Sequence, residues 1–151
     1  MKKISLISFG GTAAIVTSMA LITGLDAVGT AKSTLISALL IAALADNLTD
    51  SLSIHIYQES VRLDEREAFI GTLTNFITRL LGSLSFVFIV AVFRPDVVVL
   101  VAVVWGMLLL GVLTYLLARE RNVGILSEVI KHLVVAAAAI ITSKVIAYFI
   151  I

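Results

Sequence analysis

Apolar and polar positions fall along this chain in long blocks, not in the short alternation of strands. Five apolar stretches can be drawn, at about 4–24, 33–56, 68–93, 97–118 and 129–151. Each approaches or exceeds the roughly 20 residues that cross about 30 Å of hydrocarbon at about 1.5 Å per residue. The breaks carry turn or charge signals: Gly24-Leu25-Asp26-Ala27-Val28-Gly29, Tyr57 to Glu67, Arg94-Pro95-Asp96, and Arg119 to Gly124. Pro95 cannot sit in a helix interior without losing a hydrogen bond, so it predicts a tight reversal between the third and fourth stretches. Backbone in hydrocarbon must satisfy its own hydrogen bonds, which makes the stretches helices, and the continuous runs exclude a transmembrane barrel. The expected fold is all-α: an integral membrane bundle of five transmembrane helices, one domain over residues 1–151.

Composition strengthens this reading. The chain is 60% hydrophobic and 14% charged, with a mean hydropathy of +1.14, where soluble domains have about 45–50% apolar and about 25% charged residues. Cysteine is absent, which excludes disulfides, thiolate metal sites and cysteine nucleophiles. A net charge of +1 without a basic stripe makes no case for nucleic acid. No nucleophile–base pair, P-loop or zinc motif is present, so enzymatic activity and a permanently bound cofactor are not expected. Basic loop residues are uneven: Lys2, Lys3, Arg62, Arg66, Arg119, Arg121 and Lys131 lie to one side, only Lys32 and Arg94 to the other. Positively charged loops stay inside, which predicts a cytoplasmic N-terminus and an outside C-terminus. A cleaved leader is the rival reading of the first run, but no small-x-small site ends it. The expected location is the plasma membrane of a prokaryote.

Function should reside where polar groups enter the apolar helices. Asp46, Asn47 and Asp50 interrupt the second stretch, with His55 following. A charge at membrane depth costs about 2.5–3.5 kcal/mol, and such residues line a pathway, pair with another charge, or face a bundle interior. Asp46 and Asp50 share a helix face by their i,i+4 spacing, and Ala38 and Ala42 continue it as a small-residue stripe. Counted from Tyr57, Asp50 lies roughly 10 Å deep and Asp46 roughly 16 Å, the depth of Arg79 on the third helix. An Asp46–Arg79 ion pair is therefore expected, leaving Asp50 as an unpaired acid with a raised affinity for protons. Oxygen ligands at this spacing suit a divalent cation, with the shell completed by another helix or a second subunit. His55 reads either as an interfacial hydrogen-bonding residue or as a ligand. Lys131, His132 and Lys144 are explained by snorkelling to headgroups. Glu59–Arg62 and Arg62–Glu65 can pair at i,i+3 in a solvated helix extension. Gly10-Gly11 reads as a close-packing point, and Thr12, Thr17 and Ser18 either bond their own helix or line a polar path.

Two segments carry a family resemblance. Phe9-Gly10-Gly11-Thr12-Ala13-Ala14-Ile15-Val16-Thr17-Ser18 looks like the Tyr-Gly-Ala-Asn-Asp-Gly-Ile-Val-Thr-Thr signature of the vacuolar iron transporter family, and Leu48-Thr49-Asp50-Ser51-Leu52-Ser53-Ile54 is similar to its Leu-Ala-Asp-Ala-Leu-Ser-Met. The resemblance implies a homodimer exchanging Fe²⁺ or Mn²⁺ for protons along a path of acidic and methionine residues on helices one and two. Asp50 keeps its family identity, whereas the signature's acid is Ala13 here, the methionine is Ile54, and a further glutamate falls near Gln58. The family's cytoplasmic metal-binding domain has no counterpart. Two readings follow: a carrier whose ligands have moved to Asp46, Asn47, Asp50 and His55, or a transport-inactive subunit with the same fold, structural or partner-binding.

Overall fold

A computed structural model describes the backbone of residues 3–61 and 64–150, and the side chains of those residues from Gly10 onward. The Lys2, Lys3 and Phe9 side chains and Arg62 lie outside the described residues, and with them the expected Glu59–Arg62 and Arg62–Glu65 pairs.

Among the described residues the chain forms five helices: α1 (Lys3–Ala27), α2 (Lys32–Ser60), α3 (Glu65–Val92), α4 (Pro95–Arg121) and α5 (Ile125–Ile150). All five are long and apolar enough to cross a membrane. Several run beyond their apolar stretch, because helical hydrogen bonding continues through the polar residues that follow it. Glu65 and Glu67 occupy the first turn of α3, and Arg119 and Arg121 the last turn of α4. Acids near a helix start and bases near its end both complement the helix dipole. Pro95 falls in the opening turn of α4, where its missing N–H costs nothing and its fixed φ suits the helix. α4 stops at Asn122, whose φ of 52° is left-handed, a conformation that asparagine tolerates.

α1 is the central helix and touches all four others, while α2 packs mainly on α3, and α4 packs on both α1 and α5. The two halves of the bundle differ. Around the α1–α2 and α3–α4 connections lies an apolar core that includes Ile15, Met19, Ile22, Leu35, Leu39, Phe86, Ile89, Val90, Val98 and Ala102. In hydrocarbon, which is as apolar as leucine, such a core is held by close packing and not by expulsion of water. Buried Ala102, Ala118 and Ala136 allow that approach where α1, α4 and α5 meet. Toward the α2–α3 connection the packing turns polar. The outer surface carries Ile41, Leu44, Leu48, Leu52 and Ile56 on α2 and Leu100, Val104 and Leu108 on α4. Apolar exposure on that scale suits a hydrocarbon solvent and would aggregate in water.

Candidate functional site

Helix α2 presents three faces. Leu35, Leu39, Ala43, Asn47, Ser51 and Gln58 are buried, at spacings of three or four residues that keep them on one side. Leu44, Leu48, Leu52 and Ile56 form an exposed apolar face. Between these, Ala38, Ala42, Asp46, Thr49 and Ser53 make a stripe of small and polar residues with Asp50 on its border. Asp46, Thr49 and Ser53 are exposed. Both hydroxyls are turned inward on their own helix, Thr49 donating to the Ala45 carbonyl at 3.0 Å and Ser53 to the Thr49 carbonyl at 2.9 Å. The carboxylate of Asp46, at the midpoint of α2, remains facing outward, and no described residue forms an ion pair with it.

The ion pair differs from the one expected. Arg79 Nη1 donates to Asp50 Oδ2 at 2.5 Å, with the arginine side chain 7% exposed and the aspartate 37%. Matching depths favoured Asp46, but depth fixes only one coordinate. Four residues carry the helix about 40° past a full turn, and that rotation brings Asp50, not Asp46, round to α3. Asp50 is therefore not the unpaired acid.

Below this pair, polar residues of α2 and α3 face each other in a seam. Asn47 Nδ2 donates to the Phe76 carbonyl at 2.8 Å, and Ser51 Oγ lies 3.5 Å from Asn47 Oδ1. Nearer the hairpin link, Thr72 Oγ1 donates to the Ala68 carbonyl at 2.9 Å and stands 3.4 Å from both His55 Nδ1 and Gln58 Oε1. His55 Nε2 is 3.4 Å from Glu59 Oε1. Asn75 is fully buried, yet its Oδ1 and Nδ2 have no partner among the described residues, and neither has Arg79 Nε. Two glycines make room for this seam. A Cβ on Gly10 of α1 would stand 2.5 Å from Asn75 Oδ1 and 2.9 Å from Arg79 Cγ, and one on Gly71 would collide with the Gln58 amide.

The four α2 candidates thus separate. Asp46 faces outward, Asn47 is bonded to α3, Asp50 is held by Arg79, and His55 lies near the link beside Glu59 and Thr72. Among the described residues, no three of His, Asp or Glu are grouped to hold a metal ion. Thr12 and Ala13 lie elsewhere, lining a cavity of about 410 Å³ with Val16, Leu110, Lys131, His132 and Val135. Thr17 and Ile54 are half-buried. Lys131 pairs with Glu128 at 2.9 Å, and His132 Nδ1 lies 2.8 Å from the Glu128 carbonyl. The sequence reading singled out Arg79 on α3 and missed Thr72, Asn75 and Ser83. Their signal was there: with Arg79 they recur every three or four residues inside an apolar helix, which puts them on one face. Compared with models of known families and with curated proteins, the chain matches none.

Proposed function

We propose that the chain is a proton-coupled carrier of a divalent cation such as Fe²⁺ or Mn²⁺, working as a homodimer through the third face of α2. The observation that carries this reading is the exposed carboxylate of Asp46 halfway along an apolar helix. Left against lipid, such a charge costs about 2.5–3.5 kcal/mol, a cost avoided when the face lines a pathway or meets a second protein surface. Ala38 and Ala42 let a second α2 approach closely. Two copies would then bring two Asp46 and two Asp50 carboxylates toward one axis, supplying the hard oxygen ligands that one chain does not group by itself. The resemblance of helices one and two to vacuolar iron transporters supports the same substrate class, with ligands shifted away from Ala13 and Ile54. A cytoplasmic N-terminus, from the loop charges, belongs to this reading.

The Asp50–Arg79 pair favours a second reading, in which the acid neutralises an arginine for packing and the protein is a transport-inactive subunit. Uptake into proteoliposomes under an imposed pH gradient separates the two. Fe²⁺ or Mn²⁺ flux is expected for the native chain and its loss for Asp46→Asn and Asp50→Asn. A folded native protein that moves none of Fe²⁺, Mn²⁺ or Co²⁺ removes the carrier reading.

A further inference from the structure

We propose that the seam between α2 and α3 is hydrated, with water bound at Asn75 giving aqueous access from the hairpin link to Arg79 in the middle of the bundle. Its walls are two facing polar rows. Asn47, Ser51, His55 and Gln58 recur at intervals of three or four residues on α2, as do Thr72, Asn75, Arg79 and Ser83 on α3. Each row spans about 16 Å at about 1.5 Å per residue. Polar seams between membrane helices commonly act as glue, through hydrogen bonds from one helix to the other. Here the direct bonds are too few for that role. Cross-helix contacts shorter than 3.0 Å among these residues are those of Asn47 with Phe76 and Arg79 with Asp50. Thr72 spends its best bond on its own helix.

Asn75 is decisive. It is fully buried, and neither its carbonyl oxygen nor its amide nitrogen has a partner among the described residues. One turn further along α3, Arg79 Nε is in the same state. Buried polar groups in folded proteins are almost always satisfied, by ordered water where protein atoms do not serve. A buried water makes about three hydrogen bonds and needs both donors and acceptors around it. Asn75 offers one acceptor and an amide with two donors, and Arg79 Nε another donor. That set suits water, which both donates and accepts, better than a bare cation or anion. Gly10 contributes by lacking a Cβ where Asn75 Oδ1 and Arg79 Cγ lie. At the link end His55 and Thr72 are half-buried and Glu59 is exposed, with Gln58 buried beside them. The apolar core around Met19 and Phe86 closes the other end. The seam meets the outward face of α2 at the Arg79–Asp50 pair, and its hydration does not depend on which solute the protein carries.

Water-edited solid-state NMR on the native chain in bilayers tests this directly, because magnetisation passes only from water protons to nitrogen sites nearby. Transfer to Asn75 Nδ2 and Arg79 Nε should build up nearly as fast as transfer to the exposed Asn122 side chain. The backbone amide of fully buried Phe86 supplies the dry reference. In Asn75→Leu, transfer to Arg79 Nε should fall to that dry level. Build-up at Asn75 as slow as at Phe86 overturns the proposal, as does an Arg79 signal unchanged by Asn75→Leu. Should that variant not fold, the native spectrum decides alone.

Discussion

A guanidinium in the interior of an apolar bundle needs a counter-charge, and among the described residues Asp50 supplies it to Arg79. Asp50 is the more exposed member, so removing it strands the better-buried charge. Breaking a buried pair from one side costs about 3–5 kcal/mol, whereas replacing both partners by apolar groups is often neutral. Asp50→Leu is therefore expected to destabilise the protein by about 3 kcal/mol, and Asp50→Leu with Arg79→Met to regain most of it. Reversible unfolding in mixed micelles reads both. An unchanged stability in the single variant would show that the pair contributes little. Gly10→Ala is a second test at this scale. The added methyl meets Asn75 Oδ1 and also the Asn75 carbonyl, at 2.9 Å, and backbone cannot swing aside. Overpacking of this kind costs about 1–3 kcal/mol, so a lowered unfolding midpoint is expected. A midpoint equal to the native one would mean that α1 and α3 can part without loss.

At the scale of the element, α2 makes the sharpest prediction. The chain has no cysteine, so single cysteines report cleanly on which face meets a second copy. Asp46→Cys, Thr49→Cys and Ser53→Cys should form disulfide-linked dimers in the membrane, and Leu48→Cys and Leu52→Cys should not. Cross-linking through the leucine positions instead would place the interface on the apolar face. The same helix shows what the sequence disclosed and what it withheld. Apolar run length gave five helices, because spanning hydrocarbon is a requirement on length alone. It placed ends less well: α2 runs to Ser60, α3 begins at Glu65, and Pro95 belongs to α4. Polar residues can extend a helix once it leaves the apolar layer. Spacing puts Asp46 and Asp50 on one helix face, whereas in the structure Asp46 points outward and Asp50 turns to Arg79 on α3. Choosing between them for Arg79 required the rotation of α2 against α3, which depends on how both helices pack. Asn75 passed unnoticed because an amide carries no charge to flag it, although its burial with Arg79 and Ser83 follows from their spacing.

Across the whole molecule, the bundle divides into a dry half and a polar half, and the topology expectation says which side each faces. Arg66, Arg119 and Arg121 cluster at the α2–α3 and α4–α5 connections, opposite Arg94 and Lys32. Loop charge of this kind predicts that the polar half opens to the cytoplasm. Asp64→Cys should then be inert to a membrane-impermeant thiol reagent applied outside intact cells, and Asp96→Cys reactive. The opposite pattern would invert the protein in the membrane without altering its fold.

One lysine has a mechanical consequence. Lys32, at the start of α2, donates through Nζ to the carbonyls of Ala91 at 2.7 Å and Phe93 at 3.1 Å, at the end of α3. The two helices are therefore clasped at the end where they are not joined by chain, as well as linked at the other. A strip fastened at both ends does not splay. Held at both ends, α2 and α3 are expected to shift against α1 as one unit.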